Sequence, residues 1–216
     1  MSNLDPYHLL VDPTRPAIER RLRRAAAVLI LAAIALAIPL GCTTTVRPPT
    51  QLAEPTSVYI VDHGRTPSLV LPEGEGFTRW AYGDWRYYAQ GRTNVFVGAA
   101  ALLWPTQGGL GRMAHDAPAE PTAIRAALLV PVEAVHEVRV EREAVRQLRQ
   151  RLERHHRAEA ATELFNPAAE LLFVEHPRRY TFFFYNSNHA VADWLRELEC
   201  EVGFVAPISR WRVERP

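Results

Sequence analysis

Residues 178–199, RRYTFFFYNSNHAVADWLRELE, decide the fold. Tyr180, Phe182 and Phe184 fall on one side of an extended chain and Phe183 with Tyr185 on the other, which predicts a central strand apolar on both faces. The strand stops at Asn186. Val191, Leu195 and Leu198, backed by Trp194, then recur at helical spacing, so a buried strand is expected to deliver Ser187 to the start of a helix. On residue type and position alone, Ser187 there is a helix N-cap. The same place has a second use, because the positive end of the helix dipole and the free N–H groups lower a thiol's pKa and stabilise a developing oxyanion.

Upstream, SVYIVD (57–62) and SLVLP (68–72) are two β-rich runs joined by His63, Gly64, Arg65, Thr66 and Pro67, the length and chemistry of a hairpin loop. WAYGDWRYY (80–88) is a third extended piece, and its Trp80, Tyr82, Trp85, Tyr87 and Tyr88 suit either an aromatic groove wall or a core. NVFVGAAALLW (94–104) starts as strand and ends as a short helix stopped by Pro105. TQGGLGR (106–112) has the composition of a loop, and Gly108, Gly109 and Gly111 match neither a dinucleotide nor a phosphate-loop spacing. ALLVPVEAVHEVRV (127–140) predicts one or two strands leading into a helix from about Glu141 to Thr162, with Val145, Leu148 and Leu152 as its apolar stripe. His155 and His156 are adjacent, about 100° apart on a helix, and carry no ligand role. These pieces make an α+β domain, a mostly antiparallel sheet packed with a few helices, spanning residues 57–216.

Composition narrows the function. In 216 residues, 25 basic side chains, all Arg, face 24 acidic ones, and a formal charge of +1 supplies no drive toward nucleic acid. Two cysteines exclude a disulfide scaffold and a four-cysteine zinc site, and no H-E-x-x-H occurs, so no metal and no cofactor is expected.

The N-terminus reads as an address. Ala25–Ile38 is 14 uninterrupted apolar residues, preceded by Arg20, Arg21, Arg23 and Arg24 and followed by Pro39, Leu40, Gly41 and Cys42. A spanning helix needs roughly 20 such residues and a signal peptide roughly 7 to 15, which favours a processed export signal over an uncleaved anchor or a buried helix. Leu-Gly-Cys resembles the lipobox of bacterial lipoproteins, with Cys42 as the lipidated residue, although Pro39 stands where that motif prefers Leu. The body is then expected in the cell envelope, membrane-anchored and facing the periplasm. Thr43 in place of Asp implies the outer membrane, and TTTVRPPTQLAEPT (43–56) reads as a tether. Cys200 would be the only free thiol.

Four segments, VYIVDHGRTPSLVLP, YGDWRYY, LWPTQGGLGR and YNSNHAVADWL, resemble a bacterial family of conserved proteins of unknown function first noted in urease gene regions. The arrangement looks like a permuted papain-like domain, in which the histidine strand comes first and the nucleophile helix last. Gly64, Asp84, Asn186 and Asn188 match the family pattern, but Ser187 stands where its cysteine is expected and Thr66 where its histidine is expected. A serine hydroxyl needs a positioned base, which Thr66 cannot be. The tentative catalytic set is therefore Ser187 as nucleophile, His63 as base and Asp84 to orient it, with Asn186, Asn188, Trp85 and Tyr87 as binding residues. His63 lies an odd number of residues from Thr66 and would point to the opposite face of a straight strand. His189 and Asp193 share one helix face with each other and do not make a triad with Ser187. The resemblance implies a non-catalytic or weakly catalytic papain-like envelope protein that binds a peptide, a cell-wall fragment or a lipid-derived ligand. The competing expectations are a serine-variant hydrolase or acyltransferase on amide or ester bonds, and a structural envelope protein without a ligand.

Overall fold

The computed structural model describes residues 43–64, 66–92, 102 and 104–214. The stretch read as an export signal, with Cys42, and all of NVFVGAAALLW except Leu102 and Trp104 lie outside them. The hairpin forms as expected: β1 (Thr43–Arg47) is followed by β2 (Pro55–Asp62) and β3 (Pro67–Glu73), which pair antiparallel from Asp62 opposite Pro67 to Tyr59 opposite Val70. Gly64 makes the turn at φ +91°, a conformation that favours glycine, and the Asp62 carboxylate accepts its N–H at 2.7 Å.

β4 (Gly76–Asp84), β5 (Thr106–His115), β6 (Ala134–Glu141), β7 (Leu164–Asn166) and β8 (Leu171–Tyr180) complete a seven-stranded sheet in the order β6-β2-β3-β4-β5-β8-β7, antiparallel at every step. The helices are α1 (Pro121–Ala127), α2 (Arg142–Ala158) and α3 (Ser187–Glu197). The domain is α+β. Strand alternation gives the sheet two apolar faces. Ile60, Leu69, Trp80, Tyr82 and Leu110 meet the stripe Val145, Leu148 and Leu152 of α2 and the Val191 and Leu195 side of α3. On the opposite face, Tyr59, Val61, Val70 and Phe77 pack under Ile124 of α1, and farther along Leu171 and Phe173 pack with Trp85 and Ala89.

Four segments depart from expectation. In the first, WAYGDWRYY, the strand ends at Asp84, and Trp85–Ala89 form a π-helical turn that the Asp84 side chain caps. TQGGLGR is strand, the middle of β5, because the glycines answer a steric need rather than a turn. A Cβ on Gly108 would overlap the Arg178 carbonyl and the Tyr82 hydroxyl, and one on Gly111 would sit 2.7 Å from the Phe173 ring. The aromatic run is not a strand. β8 ends at Tyr180, and Thr181 and Tyr185 exchange backbone hydrogen bonds of 2.8 and 3.0 Å around a turn that leaves Phe184 82% exposed. Arg178 clasps this turn, its guanidinium 3.4 Å over the Tyr185 ring and 3.1 Å from Asp193. The two-sided apolar pattern is thus divided between the core, which takes Tyr180, and a surface turn. Finally, the stretch expected to be a tether contains β1, the centre of a three-stranded sheet, parallel to β10 (Arg210–Val213) and antiparallel to β9 (Glu201–Val202). Val46 is fully buried there and the Thr44 hydroxyl is 3.1 Å from the Phe204 carbonyl.

The interior is rich in neutral histidine. Burial lowers the pKa of His63, His115, His136, His156 and His189, and lowers that of His176 to about 4, where the nearby His155, 4.8 Å away ring to ring, acts in the same direction. An unfolded histidine ionises near 6.5, so the contribution of neutral His176 is complete above that pH and is lost as pH falls toward its folded value. After allowance for its partial exposure, we expect His176→Gln to remove about 1 kcal/mol from the difference in urea-unfolding free energy between pH 7.5 and pH 5. An unchanged pH slope in that variant would refute the assignment.

Candidate functional site

Thr66, Asp84, Asn186 and Ser187 line one cavity of about 340 Å³, where the β2–β3 loop, the end of β4 and the start of α3 converge. Tyr87, Tyr180 and Leu102 supply apolar wall. Ser187 and Asp84 therefore share one space with Thr66, the position where the resemblance expects a histidine, whereas His63, the base proposed in its place, does not line this cavity.

The helix start is built by its two asparagines. Asn186, not Ser187, is the N-cap: its Oδ1 accepts from the N–H groups of Asn188 at 2.9 Å and His189 at 3.4 Å. Its amide nitrogen donates to the Phe182 and Pro207 carbonyls at 2.9 and 2.7 Å. Asn188, fully buried, donates to Pro207 O at 2.9 Å and accepts from the Trp211 indole at 3.2 Å. Asn186 reaches the cavity, whereas Asn188 ties the helix to the segment leading into β10. Ser187 is the first helical residue, 4% exposed and facing the cavity.

Asp84 and His63 are both occupied. One Asp84 oxygen accepts the Tyr87 N–H at 2.7 Å, and the other accepts from the Thr106 hydroxyl, so the carboxylate caps the π-helical turn Trp85–Ala89 that presents Tyr87. Trp85 itself points into the core with Leu171 and Phe173. His63 Nδ1 lies 2.7 Å from the Pro131 carbonyl, which only accepts, so Nδ1 carries the proton and Nε2 is left to accept from the Ser68 hydroxyl at 3.0 Å. His63 and Ser68 line a second, larger cavity of about 450 Å³, which meets the first at Thr66, Tyr87 and Tyr88. Among the described residues no hydrogen bond joins His63 to Ser187. His189 Nδ1 lies 3.0 Å from Asn186 Oδ1, and Asp193 pairs with Arg178 and Arg196 at 3.1 and 3.0 Å.

Sequence inspection missed Ser68 and Arg79, which face the second cavity. Arg79 had a signal: a charged residue at an inward position between Phe77 and Ala81 of an otherwise apolar strand. Ser68 had none short of the hairpin register.

Among the described residues no group of three His, Cys, Asp or Glu side chains converges as a metal site, and no helix is long and apolar enough to cross a membrane. Comparison of the chain with known protein families, curated proteins and solved structures finds no match.

Proposed function

We propose that the protein is a lipid-anchored envelope protein whose permuted papain-like domain binds a ligand in the cavity beside Ser187 without efficient catalysis. The observation that supports this reading is the company Ser187 keeps. Its cavity holds Thr66 where a base would stand, its neighbouring carboxylate is spent on the Tyr87 and Thr106 bonds, and His63 gives its one accepting nitrogen to Ser68. A hydroxyl with no base is a weak nucleophile. A cavity of this size, polar at the helix start and aromatic along the wall, retains the form of a small-ligand or peptide-end site.

A serine-reactive fluorophosphonate tests it directly. We expect purified wild type to give no covalent adduct at Ser187, matching Ser187→Ala; a wild-type adduct mapped to Ser187 would instead establish the serine-hydrolase alternative with its own nucleophile. The anchoring half of the proposal has a separate readout. Metabolic palmitate should enter wild type and not Cys42→Ser, and a mature chain that retains Met1 without lipid would overturn it.

A further inference from the structure

The second cavity is a site in its own right. Its floor is the sheet face away from α3: Ser68 of β3, Arg79 and Ala81 of β4, and Leu171 with Phe173 of β8. Tyr87 and Pro131 close its rim. Of these, Arg79 is the anomaly. It is 2% exposed, yet no carboxylate stands within ion-pairing distance of it among the described residues, and none lines the cavity.

Its guanidinium is only partly satisfied. One terminal nitrogen donates to the carbonyls of Ala169 and Glu170, the latter at 3.0 Å, and the buried Nε has no partner. The carbonyls come from a turn in which Glu170 takes φ +52°, a conformation costly for a residue with a side chain. The Glu170 carboxylate, whose charge acts on Arg79, forms no ion pair with it and instead accepts the Leu129 and Val130 N–H groups at 2.8 and 3.2 Å. Burial pulls the Arg79 pKa down to about 10, which leaves it fully charged at neutral pH. A buried cation that no carboxylate contacts costs several kcal/mol, and an isosteric apolar residue would ordinarily be the more stable choice.

An anion entering the cavity supplies the missing charge, and the other walls restrict its kind. His63 is neutral, its pKa lowered first by burial, and its hydrogen bond with Ser68 already uses both groups. The remaining lining is mostly aliphatic and aromatic; its other polar side chains are Thr66, Asn166 and the tyrosine hydroxyls, and the Asn166 amide is already engaged by the Tyr88 carbonyl and the Ala168 N–H. We propose that this cavity binds an apolar monocarboxylate, with the carboxylate against Arg79 and the hydrocarbon body along Ala81, Leu171, Phe173 and Tyr87. A fatty acid and the C-terminal end of an apolar peptide share this chemistry. The charged end of the site is separate from the Ser187 cavity, because Arg79 does not line that cavity; the two share only Thr66, Tyr87 and Tyr88.

The test is calorimetric titration of the full-length protein with decanoate, decan-1-ol, acetyl-Leu-Phe as free acid, and its amide. Decanoate should bind at least tenfold more tightly than decanol, or the free dipeptide acid at least tenfold more tightly than its amide; which acid binds identifies the source. Arg79→Met keeps the stem and removes the charge, together with the donor to the Ala169 and Glu170 carbonyls, and the variant, checked for a cooperative melting transition, should show no preference for acid. Ala81→Phe fills the cavity and leaves the cation, and it should weaken every probe at least tenfold. Equal binding of acids and their neutral partners, or a preference that survives Arg79→Met, overturns the proposal. Fluorophosphonate labelling at Ser187 reports on the other cavity, so either conclusion can fail alone.

Discussion

Asn186→Ala is expected to destabilise the domain by about 3 kcal/mol, while Ser187→Ala next to it costs less than about 1 kcal/mol. The asymmetry comes from what each side chain holds. Loss of the cap leaves the Asn188 and His189 N–H groups without their acceptor, which costs about 1 kcal/mol in typical helices. Loss of the donor orphans the Phe182 carbonyl outright and leaves Pro207 O with Asn188 alone, and an unsatisfied buried acceptor costs about 1–3 kcal/mol. Asn186→Asp separates the two parts. It keeps an excellent cap but donates nothing to either carbonyl, so it should recover little of the loss. Urea unfolding of the three variants at pH 7.5 measures this, and full stability in Asn186→Asp would show that the cap alone matters.

Gly108→Ala should cost about as much, near 3 kcal/mol, for a steric reason. The added methyl overlaps the Arg178 carbonyl and the Tyr82 hydroxyl, which are themselves hydrogen-bonded at 2.8 Å. Relief requires β5 to separate from β8 or Tyr82 to leave the core, where it is 3% exposed. Gly203→Ala is the matched control: its nearest neighbour would be the Thr45 carbonyl at 3.6 Å, an ordinary contact, and its effect should stay within about 0.5 kcal/mol. If the two variants unfold at the same urea concentration, the close approach across β5 is not a constraint on the sequence.

These two residues also mark where the sequence was legible. Local pattern was enough for the hairpin, for the apolar stripe of α2 and for the start of α3, since each depends on neighbours three to ten residues away. It was insufficient wherever the deciding neighbour was distant. The glycines of β5 resemble a loop until the Tyr82 and Phe173 side chains that press on them are placed. The aromatic run 180–185 resembles a central strand until Arg178, before it, and Asp193, after it, are found holding it as a turn. Neither the convergence of Thr66, Asp84 and Ser187 on one cavity nor the engagement of His63 by Ser68 and Pro131 follows from local pattern, since each joins residues of separate elements or loops.

If Cys42 carries the proposed lipid, the strand that begins at Thr43 gains a mechanical meaning. With β1 clamped between β9 and β10, an acyl chain on the preceding residue would have no slack to let out. A domain so mounted would stay close to its attachment point rather than swing at the end of a leash.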